Sequence, residues 1–166
     1  MKKFNMLFIS LVVLFLITGC GEKTKLKTVT YDAEAATISL SYPDLDSYKY
    51  TEDADELQHP LDVAGIIAEK FSIDIYTSKF YAMTYEEYLD GRYEMYKDTA
   101  RKFKLAGLDA LEILQDTHYS ITLSLGGTNY MELRIFDKLY KLENLKTAYK
   151  SNEVQDIINS IKIEPK

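Results

Sequence analysis

The segment Tyr119–Phe136 constrains the fold more than any other part of this chain. Tyr119, Ile121, Leu123 and Leu125 alternate with Ser120, Thr122 and Ser124. This period of two marks a strand with one buried face. Gly126-Gly127-Thr128-Asn129 then supplies turn residues, and Tyr130–Phe136 returns as a second strand. A hairpin of this kind has a greasy face that must be covered, so the chain has to supply further strands and helices around it.

The same alternation recurs earlier. Ile38, Leu40 and Tyr42 alternate with Ser39 and Ser41 in a strand Ala36–Tyr42 ended by Pro43, and Lys27–Tyr31 reads as a strand before it. Ala68–Thr77 contains another, with Phe71, Ile73 and Ile75 on one side and Ser72, Asp74 and Tyr76 on the other. Phe103–Leu114 reads as two short strands divided by a turn at Gly107.

Two segments have helical period. Thr84-Tyr85-Glu86-Glu87 has the pattern of a capping box, and Tyr85, Tyr88, Leu89, Tyr96 and Ala100 fall near one face. Gly91 costs about 1 kcal/mol relative to alanine there without breaking the pattern. Near the C-terminus Asn152 reads as a cap with Gln155 completing the box, and Val154, Ile157, Ile158 and Ile161 follow an i, i+3, i+4, i+7 stripe. Leu139–Tyr149 fits a helix only loosely, and Pro165 closes the chain. The expected class is α+β, an antiparallel sheet flanked by helices.

The chain contains one cysteine, Cys20, so no disulfide can form within it and stability must come from a hydrophobic core. Cys20 ends a leader with Lys2 and Lys3 at its start and an apolar run from Met6 to Ile17 interrupted by Ser10. That run is shorter than the ~20 residues a spanning helix needs, and suits a cleaved signal. Ile17-Thr18-Gly19-Cys20 resembles the bacterial lipoprotein signal, or lipobox. The resemblance implies diacylglycerol on the Cys20 sulfur and cleavage before it. Residues 1–19 are then a signal peptide, 20–27 a lipidated tether and 28–166 a single domain. The expected location is the extracytoplasmic face of the cell membrane, with lipid on Cys20 as the membrane partner.

Removing residues 1–19 takes two lysines and no acid from 20 basic and 26 acidic residues, which leaves a net charge of −8. Such a surface argues against nucleic acid and against electrostatic docking on anionic lipid. The acidic loop Asp44–Pro60 offers oxygen ligands to a cation, but its spacing is not that of an EF-hand, and residues 44–56 read as a solvated loop. His59 and His118 have no metal-ligand or catalytic partner nearby in sequence. There is no G-x-S-x-G, and the only thiol is consumed by lipid. Glycosidase chemistry needs only two carboxylates, so the acids leave that class formally open. The expectation is a protein without catalytic residues, metal or cofactor.

Four pieces carry a family resemblance: Ile38-Ser39-Leu40-Ser41-Tyr42-Pro43, Gly107-Leu108-Asp109-Ala110-Leu111, Tyr119-Ser120-Ile121-Thr122-Leu123 and Ile157-Ile158-Asn159-Ser160-Ile161-Lys162-Ile163. In order and spacing they resemble the PsbP-like family across roughly residues 37–163. The resemblance implies an α/β/α sandwich acting in binding or assembly. The expected function is therefore a membrane-anchored module that binds or assembles a protein partner, and the alternative is a small-ligand or solute-binding lipoprotein.

Overall fold

The computed structural model describes residues 24–138 and 142–166. The leader, Cys20 and the first residues of the expected tether lie outside the described residues, as do Leu139–Lys141 at the start of the loosely helical segment.

The alternating segments pair into two antiparallel sheets. The strands are β1 (Leu26–Asp32), β2 (Ala36–Pro43), β3 (Lys49–Thr51), β4 (Ala64–Ile67), β5 (Phe71–Lys79), β6 (Ala100–Leu105), β7 (Leu108–Leu114), β8 (His118–Gly126), β9 (Asn129–Asp137) and β10 (Lys162–Pro165). The larger sheet has the order β3-β4-β5-β9-β8-β7-β6, and the smaller one β1-β2-β10. The helices are α1 (Tyr85–Met95), α2 (Leu142–Tyr149) and α3 (Asn152–Asn159). The α+β class holds, with helices on both faces of the larger sheet.

The β8–β9 hairpin forms as its alternation demands, with Ile121 opposite Leu133 and Leu123 opposite Met131. Gly126 and Gly127 turn it at φ +100° and +56°, which glycine adopts without a Cβ penalty. The apolar side of this hairpin continues through Ile73 and Ile75 of β5 and Ala64 and Ile66 of β4. It is covered by β2 and by α2 and α3. Val154, Ile157 and Ile158 are buried there, as the helical stripe requires, and Ile161 is buried too but lies beyond the end of α3. On the opposite face, α1 packs Tyr85 and Leu89 on Leu111 and Ile113 of β7. The expected capping box is present, since Thr84 Oγ1 accepts from the Glu87 N–H and Glu87 Oε2 accepts from the Thr84 N–H. Phe80 and Tyr130 stack at 4.3 Å beside Tyr88, so the tyrosine stripe is packing between helix and sheet.

Five details differ from the sequence reading. The strand expected within Ala68–Thr77 is β5, which runs on to Lys79, and Ala64–Ile67 forms a further strand before it, paired across a tight turn. This Ala-Gly-Ile-Ile strand is buried on both faces and so has no alternation to reveal it. The acidic loop contains the short strand β3 and a single 3₁₀ turn at Ala54–Glu56. Helix α1 stops at Met95, and Ala100 opens β6 instead of continuing the helical face. The cap of α3 is Ser151, not Asn152: its Oγ accepts from the Val154 N–H at 3.3 Å, while Gln155 donates to the Tyr149 carbonyl. Finally, the chain does not simply stop after α3, because β10 adds to β2 and Lys166 pairs with Asp32 at 2.6 Å.

Candidate functional site

Ser72, Asp74 and Tyr76 point away from the main core, as alternation requires, yet Ser72 and Asp74 are fully buried. The second face of the sheet is covered as well, by α1 and by the segment leading into β4. Across the strands, Asp74 lies opposite Arg134, and Glu132 lies opposite Thr122. Arg134 donates from Nη1 to Asp62 Oδ1 and from Nε to Glu132 Oε1, both at 2.8 Å. Its guanidinium rests 4.4 Å from the centre of the Tyr76 ring. His118 approaches Glu132 at 3.9 Å and packs on Phe136. Burial lowers the affinity of this imidazole for a proton, partly offset by the Glu132 charge.

Two buried carboxylates, Asp62 and Glu132, thus hold one guanidinium, and the Asp74 carboxyl lies beside Asp62. Asp74 Oδ2 accepts from the Gln58 N–H at 2.8 Å, but Asp74 Oδ1 and Asp62 Oδ2 receive no donor while both acids are ionised. The two carboxyls are close enough to hydrogen-bond once one of them carries a proton. Burial pushes each up to about 6, against the pull of Arg134 on Asp62 and of the Gln58 N–H on Asp74. Gly65 leaves room for Asp74 here: a Cβ there would sit 3.0 Å from Asp74 Oδ1 and 2.6 Å from the Leu57 side chain. Asp62, Asp74 and Glu132 are each less than a tenth exposed, so the cluster ties the covering segment to the sheet and presents no carboxylate to a solvent-borne substrate.

Open grooves, in contrast, are accessible, one of about 460 Å³ between α1 and the β6–β7 turn and a larger one beside the C-terminal helices. The larger groove, of about 560 Å³, runs between the β4–β5 turn, the end of β9 and helices α2 and α3. Phe71 forms its buried floor, Asn144, Thr147 and Ser151 line its helical wall, and Lys70 and Glu153 stand at its rim. Its volume is within the range of small-ligand sites. Its exposed rim carries charges of both signs, which also suits a segment of another protein.

The residues of the acidic loop are engaged singly. Asp44 pairs with Lys25, Glu56 with Lys49, and Glu52 accepts from Tyr50. Among the described residues no three acids, histidines or cysteines converge as metal ligands do. His59 accepts at Nδ1 from the Leu61 N–H, a local turn contact. Sequence reasoning missed the Asp62–Asp74–Glu132–Arg134 cluster. The polar alternation of Tyr130, Glu132 and Arg134 against Met131, Leu133 and Ile135 was the signal available for it.

Fold and site together define an antiparallel α+β protein with a buried ionic cluster and an open groove beside its C-terminal helices. The chain matches no protein-family model, no curated protein and no solved structure.

Proposed function

We propose that this protein is a lipoprotein held at the extracytoplasmic face of the cell membrane by lipid on Cys20, where it binds or assembles a protein partner. The location rests on the leader and the Ile17–Cys20 box. The two acyl chains of one diacylglycerol give stable anchoring, at ~0.8 kcal/mol per buried CH₂. An antiparallel sheet with helices on both faces is in keeping with a PsbP-like sandwich, the fold from which the binding role is drawn.

The open groove along α2 and α3 is the observation that carries the binding half of this reading. Burial of Asp62, Asp74 and Glu132 supports a structural role for the ionic cluster. Two measurements test the proposal. Radiolabelled palmitate should mark the wild type and not Cys20→Ala. Photo-crosslinking from Asn144 in native membranes should give one discrete protein adduct, lost when the exposed Thr147 is changed to Arg. A small-ligand site is the second reading, favoured by the groove volume alone. A solute that raises the melting temperature of wild type but not of Thr147→Arg, with no protein adduct, would select it.

A further inference from the structure

Six large apolar residues stand exposed among the described residues, and two of them share one corner. Leu26 is 61% exposed at the start of β1, and Leu45 is 53% exposed just beyond β2. Leu26 lies opposite Pro43 in the ladder, the Asp44 N–H donates to the Lys25 carbonyl at 2.8 Å, and the Lys25 ammonium pairs with Asp44 at 3.3 Å. The Leu45 carbonyl accepts from the Tyr48 N–H, so the loop that carries this leucine is fixed.

This corner is also where the chain enters the domain. Leu26 follows Cys20 by six residues. At ~3.3–3.6 Å per residue the connecting chain reaches at most about 22 Å, whatever its path. The opposite end of β1 lies on the order of 20 Å away, at ~3.3 Å per residue, so the anchor reaches that end only with the connecting chain almost fully extended. There the Ala33–Ala35 turn meets Lys79 through an ion pair to Glu34 at 2.6 Å, close to the 94% exposed Tyr81.

We infer that the Leu26–Leu45 corner rests in the interface of the bilayer that holds the lipid, so that the domain stands on the membrane at this end with the Tyr81 end directed away. The inference builds on the lipid-anchor reading of Cys20. Lys25 pairs with Asp44, and the exposed Lys27 and Asp46 beside the two leucines are of opposite sign, so the corner is close to neutral; the acidic balance of the chain disfavours anionic headgroups, and zwitterionic lipid is the surface that fits. Two leucines beside a covalent anchor need only shallow burial, because the acyl chains already supply the attachment.

The protein contains no tryptophan, so a single indole reports its own surroundings. Natively lipidated Leu45→Trp and Tyr81→Trp, isolated from membranes, would be reconstituted in phosphatidylcholine vesicles, with and without bromine on carbons 6 and 7 of the acyl chains. Position 45 should lose about half its emission in the brominated vesicles, since interfacial burial of ~5–10 Å brings the indole near the quencher. Position 81 should be unchanged. Leu26→Trp serves as the second reporter if Leu45→Trp does not melt like wild type. Equal quenching at the two ends, or none at position 45, overturns the orientation. Mass spectrometry of the same samples separates the failures. Lipid on Cys20 with an unquenched position 45 rejects the contact alone, and an unmodified Cys20 rejects the anchor and the contact together.

Discussion

At the scale of single residues, the buried pair Asp62 and Asp74 makes stability depend on pH in an uncommon direction. An aspartate in the unfolded chain titrates near 3.9, and both carboxyls here are pushed up to about 6. The folded state therefore holds a proton more tightly than the unfolded one. The stabilisation is complete below about pH 4 and is lost as pH rises through 6. The groups facing the pair are Arg134 and Glu132 from β9, Ser72 from β5 and the Gln58 N–H from the covering segment. Asp32 and Glu56, held low by Lys166 and Lys49, act oppositely at lower pH, and His118, whose affinity for a proton burial lowers, acts oppositely within the window, in wild type and in the Asp74 variant alike. Urea titrations between pH 4.5 and 8 should show wild type losing on the order of 1–3 kcal/mol as pH rises. Asp74→Asn, which keeps an acceptor for Gln58 and gives Asp62 a permanent donor, should flatten that slope. Ala106 offers a second test. It turns the β6–β7 hairpin at φ +52° with Gly107 at +81°, and it is exposed. Asparagine tolerates that region better than alanine and precedes glycine in favoured hairpin turns. Ala106→Asn should gain about 0.5–1 kcal/mol by chemical denaturation.

At the scale of elements, α3 is the clearest agreement between pattern and packing. Its stripe was legible because Val154, Ile157 and Ile158 recur at helical spacing and are buried on the sheet, with Ile161 buried just past the helix end. Ile158 is 2% exposed, so Ile158→Ala should cost ~2–5 kcal/mol in a urea titration. A loss below about 0.5 kcal/mol, the level of surface substitutions, would mean that the helix is not packed as described. Strand β4 shows the converse. Ala64-Gly65-Ile66-Ile67 has no polar residue to set a period, and a short apolar run does not by itself choose between strand and helix. The β5 ladder made it a strand. The cap at Ser151 was ambiguous for a related reason, since Ser151 and Asn152 are both good caps. The turn that brings the Ser151 N–H to the Ala148 carbonyl fixed which residue takes the role.

At the scale of the whole molecule, a single cohesive core joins both sheets through α2 and α3, and α1 seals a smaller aromatic cluster on the far face. With one cysteine and ion pairs distributed singly around the acidic loop, this burial is what stabilises the fold. A chain beginning at Thr24 should melt in one cooperative transition whose midpoint is unmoved by chelator or by reductant. A large loss of stability in chelator would place a cation in the loop between Asp44 and Glu56. The two ends of β1 differ at this scale too: one bears exposed leucines next to the tether, and the other an ion pair and Tyr81.

The sequence by itself determined the local alternatives: alternation made strands, capping residues and the 3.6-residue period made helices, and Gly126-Gly127 and Gly107 set the turns. These depend on neighbours within a few residues, and such information is contiguous in the chain. Only the tertiary structure decided which strands are adjacent and therefore which charges meet. Asp62 and Arg134 are far apart in sequence but hydrogen-bonded at 2.8 Å, and Asp74 faces Arg134 only because β5 pairs with β9 in one register. A one-residue slip of that ladder would turn every side chain to the other face. The cluster is therefore a property of strand pairing, which the burial of the whole apolar face selects.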